Sequence, residues 1–395
     1  MKTDPLNIAI IGSTGSLGRT ILDVIDSLKE EINIVALGTG SNVERLKEQV
    51  SKYRPNIVSI AHGEWDSSDS DVQLVSASEL VTADEVDMVF IAHAGKSSLR
   101  ATWDAVKAGK KIALGNIDLL FVMGSLLKQT AEETGATIFP LDDEPAGVLQ
   151  TLWGEDRETI DQVTITSTWG TINARRLRSH GLSALVRPSR KVGQRRSIDS
   201  STLITKATQL SAIHHLYDVP VENIRVVYHP ESVVRALTEF QDGSVKAVLS
   251  NPDMRVPVQL ALAYPDRWSN PQVTRVNLLE LGKVSFESLE EELFASYRLA
   301  LEAIKLGDTY PAVVAAANDA AVDLFLSQQI GFTEIPGIIE MTLGNHRSSA
   351  VETIDDVFVA DEWARTFVGS QAVSYTHLRA HETRHALVCR LLLEK

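Results

Sequence analysis

Short apolar runs alternate with stretches of helical period through about residue 140. Ile8, Ile10 and Ile11 form the first run, and Leu17, Ile21, Leu22, Ile25 and Leu28 recur at helical spacing behind it. Ile32–Leu37, Asn56–Ile60, Met88–Ala92, Lys111–Leu114 and Thr137–Pro140 repeat the strand pattern, with helices expected over Val43–Tyr53 and Leu99–Lys107. Unbroken apolar runs mark strands buried on both faces, so the pattern predicts a doubly wound parallel sheet. From Gln162 the period changes. Gln162–Thr168, Ile224–Tyr228 and Ser244–Leu249 alternate apolar with polar, as antiparallel strands with one wetted face do, which predicts an α+β domain. Helices are expected over Leu203–Leu216, from an N-cap at Ser288 to Leu306, over Asn318–Gln329 and over Ile335–Leu343. Residues 173–196, rich in arginine, serine and glycine, carry no period and read as a flexible loop beside the site.

Chemistry enters at the joins. Gly12, Gly15 and Gly18 separate the first strand from the first helix, in the register that lets a pyrophosphate approach backbone N–H groups at a helix N-terminus. Their spacing is GxxGxxG. The loop Gly12, Thr14, Gly15, Ser16, Leu17 and Gly18 is therefore the candidate phosphate cradle. After the second strand, where an acid would hold the ribose hydroxyl of NAD, stand only Thr39, Gly40, Ser41 and Asn42, with Arg45 nearby. That leans to NADP. Ligands of such sheets bind at the carboxyl ends of strands, which here also carry His93–Gly95, Asn116–Asp118 and Asp142–Glu144.

Composition narrows the partners. A formal charge of −14 over 395 residues argues against nucleic acid. The longest apolar region, Ile112–Leu127, is broken by Asn116 and Asp118, so no membrane span is expected. The start of the chain has no apolar signal region and the one cysteine is Cys389, which together fit a cytoplasmic enzyme without disulfides.

Five collinear motifs resemble the 1-deoxy-D-xylulose 5-phosphate reductoisomerase family, which makes methylerythritol phosphate for isoprenoids. They are Ile11–Gly18, Pro140–Glu144, Ser197–Thr202, His229–Val234 and Pro252–Arg255. The resemblance implies a homodimer with an N-terminal Rossmann-like NADP-binding domain over residues 5–140 and a catalytic and dimerisation domain over 141–277. A linker over 278–287 and a small C-terminal helical domain over 288–372 follow. It adds Asn116 and Gly193 to the NADPH contacts, and it places a divalent ion, Mg²⁺ or Mn²⁺, on Asp142 and Glu144. Substrate contacts fall on Asp143, Thr168, Arg187, Ser200, Thr205 and Lys206, with Thr168, Ser200, Thr205 and Lys206 forming a phosphate pocket.

The departures from the family pattern gather at the reacting positions. The third metal carboxylate falls on Gln209 and a neighbouring glutamate on Ala212, which weakens the site for a hard cation. A lysine beside the nicotinamide becomes Ile117, so acid-base work there is lost or moved, with Asp118 and Asp143 as the remaining candidates. The loop histidine and tryptophan become Arg187 and Arg190, a second histidine becomes Arg235, and Asp143 replaces a serine. With two glutamates and a lysine gone, the swing is about +3 if all face the pocket, which predicts a more anionic substrate and less dependence on metal. Three readings stay open: a paralogue reducing another phosphorylated substrate, the parent enzyme, or a catalytically silent NADP-binding protein. Residues 373–395 resemble a translated sequencing adapter, so His381–His385 is read as a decoy of the HExxH zinc motif.

Overall fold

A computed structural model describes residues 5–28, 32–65, 72–93, 96–168, 194–289 and 294–371. The chain divides into two compact units, residues 1–168 with 208–288, and residues 169–207 with 289–395.

The first unit holds two sheets. Strands β1 (Leu6–Ile11), β2 (Ile32–Thr39), β3 (Ile57–Ile60), β4 (Gln73–Leu74), β5 (Met88–Ile91), β6 (Lys111–Leu114) and β7 (Thr137–Pro140) form a parallel sheet in the order β4-β3-β2-β1-β5-β6-β7. The chain winds outward in one direction from β1 and returns to β1's other side at β5. The carboxyl ends of these two neighbours are therefore the switch point where such sheets open a ligand crevice. Helices α1 (Ser16–Ser27), α2 (Val43–Tyr53), α3 (Ala77–Thr82), α4 (Lys96–Lys107), α5 (Asp118–Thr134) and α6 (Asp143–Thr151) make the connections. The fold class read from the sequence is the observed one, an α/β protein with a Rossmann-like sheet, a second sheet and C-terminal helices. The β4–α3 excursion went unseen because its strand is two exposed residues.

The second sheet runs β11-β10-β8-β9-β12, built from β8 (Ile160–Ser167), β9 (Ile224–Tyr228), β10 (Val234–Phe240), β11 (Val245–Leu249) and β12 (Glu287–Ser288). It is mixed rather than antiparallel. β8 and β9 pair in parallel, as their long helical crossover requires, while the other pairs are antiparallel. Strand β10 escaped the sequence reading because Arg235 and Glu239 interrupt its apolar pattern. Ser288 is no helix cap: it pairs with Val227 in β12.

In chain order the remaining helices are α7 (Gln194–Ser201), α8 (Ile204–Tyr217), α9 (Arg255–Ala263), the single turn α10 (Leu278–Leu281), α11 (Ala295–Leu306), α12 (Tyr310–Leu326), α13 (Ile335–Asn345) and a last helix over 354–371. Although α9 follows the second sheet, its Val258, Ala261 and Leu262 sit in the core of the first beside Ile10, Ile21 and Leu22. Burying Val258 or Leu262 there contributes roughly 1.5–3 kcal/mol each.

Within the first unit, α8 from Thr208 onward is wedged between α5 and α6. The Ser211 hydroxyl donates to the Leu120 carbonyl at 3.1 Å and the buried Tyr217 hydroxyl to the Pro145 carbonyl at 2.8 Å. At Met123, φ −145° kinks α5, and beside the kink Gly124 leaves room for His215, since a Cβ there would lie 2.1 Å from its ring. Burial, reinforced by His214 and Lys128, holds the His215 pKa down to about 3, and the centres of the two histidine rings lie 4.8 Å apart.

In the second unit, α12 anchors α7. Asn318 donates to Asp199 at 2.9 Å, and Asp319 is bridged by Arg195 and Arg365.

An acid sensitivity follows from His215. Its folded-state pKa lies below its unfolded value, so the unfolded chain binds the extra proton first and stability falls as pH drops from about 6.5 toward 3. Urea unfolding between pH 6 and pH 4 should show a slope in His215→Leu shallower than wild type by as much as about 1.4 kcal/mol per pH unit. Identical slopes would mean that His215 does not titrate across unfolding.

Candidate active site

The glycine loop ends β1 at the switch point. Gly12 takes φ +86°, and a Cβ there would lie 2.9 Å from the Cβ of His93 at the end of β5. Gly18 is constrained more severely, because a Cβ would fall 2.2 Å from the Gly12 carbonyl oxygen and 2.6 Å from Ser13. These contacts seat α1 directly on the loop. The loop is then locked from behind: the buried Ser13 hydroxyl donates to Gln49 at 2.7 Å, Gln49 returns a bond to the Ser13 carbonyl at 3.0 Å, and the Thr14 and Thr39 hydroxyls meet at 2.6 Å. Gly15 caps α1 with no side-chain hydrogen bond, and Gly15 and Ser16 are exposed. A rigid turn presenting amides at a helix N-terminus is what a pyrophosphate needs.

The neighbouring turn is neutral as well. Asn42 spends its side chain accepting from the Arg45 amide, capping α2, while Gly40 and Ser41 remain beside it at the surface. Asn116, after β6, donates to Ser98 at 3.4 Å. Next to it Ile117 is buried and Asp118 is exposed in the first turn of α5.

The acidic triplet opens a helix. Asp142 is the N-cap of α6, and Asp143 and Glu144 form its first turn, where the helix dipole favours negative charge. Two side chains from distant segments meet them. Gln209, buried on α8, donates through Nε2 to Glu144 at 2.7 Å and also to Asp142. Arg235, buried on β10, lies 3.7 Å from Asp143 and gives its other N–H groups to the carbonyls of Ser232 at 2.6 Å and Ser250 at 2.9 Å. Gly147 makes this approach feasible: a Cβ there would lie 2.9 Å from the Cβ of Arg235.

Two expectations change accordingly. Arg235 is a partner of Asp143 rather than an added positive charge, so the two cancel and the expected swing rests on the lost glutamates and lysine and on Arg187 and Arg190. Where the oxygens of Asp142 and Glu144 converge stands an N–H donor, and among the described residues no group of three or more His, Cys, Asp or Glu is placed to hold a metal ion. This donor set fits a hard cation poorly, because Mg²⁺ demands oxygen ligands in near-octahedral array.

The remaining substrate candidates are partly visible. Thr168 follows β8. Within the second unit, Ser200 lies at the end of α7, and Thr205 and Lys206 in the first turn of α8, either side of Leu203. That residue is buried with φ +59°, a strained conformation for a leucine. Arg187, Arg190, Gly193 and the histidines of the tail lie outside the described residues. The sequence reading missed Gln49, Gly147 and the Ser250 carbonyl. Their partners lie 15 or more residues away, and only the glycine offered a signal.

Three family models match the chain: 1-deoxy-D-xylulose 5-phosphate reductoisomerase over residues 8–124, its C-terminal domain over 138–217, and a DXP reductoisomerase C-terminal domain over 249–367. The 1-deoxy-D-xylulose 5-phosphate reductoisomerase of Chlorobium phaeovibrioides is 36% identical over 382 residues, covering 92% of this chain and 99% of that protein. That of Desulforamulus reducens is 38% identical over 376 residues, covering 91% and 96%. The Zymomonas mobilis enzyme solved in complex with NADPH superposes with TM-score 0.87 at 30% identity, covering 93% and 99%. A DOX-P reductoisomerase solved with NADPH, fosmidomycin and magnesium gives 0.82 at 29%, covering 95% and 99%.

Two substitutions test the local geometry by urea denaturation. Gly18→Ala must push the loop apart and is expected to cost about 2 kcal/mol or more. Arg235→Met removes the ion pair to Asp143 and the N–H groups given to the Ser232 and Ser250 carbonyls, and is expected to cost about 3 kcal/mol. An unchanged midpoint in either would show that the contact is dispensable.

Proposed function

Because the chain belongs to the 1-deoxy-D-xylulose 5-phosphate reductoisomerase family, we propose that it is an NADPH-dependent oxidoreductase whose substrate is a small phosphorylated carbonyl compound other than the family's own. The observation that carries this reading is a contrast within one unit. The glycine loop keeps its steric logic at Gly12 and Gly18, while the reacting end is rebuilt around Ile117, Gln209 and the Asp143–Arg235 pair. Reducing a carbonyl takes less than the family reaction, which first breaks and remakes a carbon–carbon bond. It needs a bound nicotinamide to deliver hydride, an oriented carbonyl and one proton donor. Buried Ile117 can donate no proton, and exposed Asp118 in the next position is the nearest titratable group on that segment. The resemblance assigns the phosphate to Thr168, Ser200, Thr205 and Lys206, hydroxyls and an ammonium of the kind that hold such a group. Homodimer formation, a cytoplasmic setting and the three-domain division belong to the same reading. Among the described residues no helix is long and apolar enough to cross a membrane.

A second reading, activity on 1-deoxy-D-xylulose 5-phosphate itself, is favoured by identities of 36% and 38% to relatives of that name across nearly their whole length.

Two measurements decide between them. Fluorescence titration is expected to show NADPH binding at least about tenfold tighter than NADH, given the neutral turn at Thr39–Asn42. Equal affinities count against that specificity, and no binding of either supports a silent protein. NADPH oxidation is then screened against sugar phosphates and phosphorylated keto acids, with and without EDTA. Turnover of a compound other than 1-deoxy-D-xylulose 5-phosphate, insensitive to EDTA, is expected. Turnover of that compound alone, abolished by EDTA, establishes the second reading.

A further inference from the structure

We propose that Gln209 and Arg235 form a built-in substitute for a divalent cation, so that the resting site needs no metal and Gln209 sets its metal affinity. Asp142, Asp143 and Glu144 are three consecutive carboxylates crowded at one helix start, an arrangement that repels itself unless positive charge or hydrogen-bond donors are supplied. The chain supplies them internally. One amide nitrogen of Gln209 gives an N–H to Asp142 and an N–H to Glu144, and the Arg235 guanidinium stands against Asp143. Both partners are themselves held. Gln209 is 3% exposed on a helix wedged between two others, and Arg235 is tied to the carbonyls of Ser232 and Ser250.

A cation entering here meets three obstacles. It must break two charge-assisted hydrogen bonds, turn the Gln209 amide over to present Oε1, and approach the fixed charge of Arg235. The two substitutions thus act as a pair: Gln209 replaces the ion's bridging of the carboxylates, and Arg235 replaces part of its charge. This deepens the reading above, yet it is tested by metal binding alone. Its failure would leave NADPH-dependent reduction standing.

The test titrates the full chain with Mn²⁺, following free ion by electron paramagnetic resonance and thermal unfolding in parallel. Wild type is expected to show no saturable site up to about 1 mM Mn²⁺ and no shift in its unfolding midpoint. Gln209→Glu brings a third carboxylate to the same point, so without metal it should unfold at a lower temperature and with Mn²⁺ recover. Its affinity should be at least about 30-fold above wild type, and higher again in Gln209→Glu combined with Arg235→His. Stoichiometric micromolar binding by wild type overturns the proposal. So does a folded Gln209→Glu that gains neither affinity nor a Mn²⁺-dependent midpoint. If Gln209→Glu does not fold, the wild-type titration by itself still decides.

Discussion

The close seating of α6 on β10 is the constraint on which the site depends. Gly147 lets the helix backbone come down onto Arg235 and Ala236, the Thr151 and Thr238 hydroxyls close the contact at 2.7 Å, and Tyr217 pins Pro145 from the side of α8. With the helix so placed, its first turn projects Asp142, Asp143 and Glu144 beyond the carboxyl end of β7. Any larger residue at 147 would lift that turn away from Arg235, and Asp143 would lose that ion pair together with its position.

The same economy governs the glycine loop. Gly18 places α1 against the Gly12 carbonyl, and the Ser13–Gln49 pair fixes the loop before any ligand arrives. A preorganised loop costs a ligand little ordering entropy, which suits repeated binding and release of a cofactor. By contrast, the acidic turn is organised by charge. Its three carboxylates are tolerable because a helix dipole, an amide and a guanidinium oppose them at once.

These features connect the chain's departures from its family. Arg235 in place of a histidine and Asp143 in place of a serine look unrelated in sequence, 92 positions apart, yet they face each other across the α6–β10 contact. Gln209 in place of a glutamate is likewise matched to its surroundings, since an amide is able to satisfy two carboxylates that a third carboxylate would repel. The changes read as a refitted site.

Sequence alone determined the parallel sheet, because its runs of isoleucine, valine and leucine suit no other setting. It also determined the glycine turn, because three glycines between such a strand and an amphipathic helix carry a steric meaning in any context. It placed the acidic triplet at a strand's carboxyl end and identified the family from ordered motifs. What it left to the tertiary structure were relations between distant segments. Strand β10 hid behind a buried arginine, β8 and β9 turned out parallel, and α9 returned to seal a core laid down more than two hundred residues earlier. Whether Arg235 meets solvent, substrate or Asp143 is likewise a matter of packing. Local pattern records which face of an element is apolar, but the partner a charge finds depends on long-range contacts that periodicity does not encode.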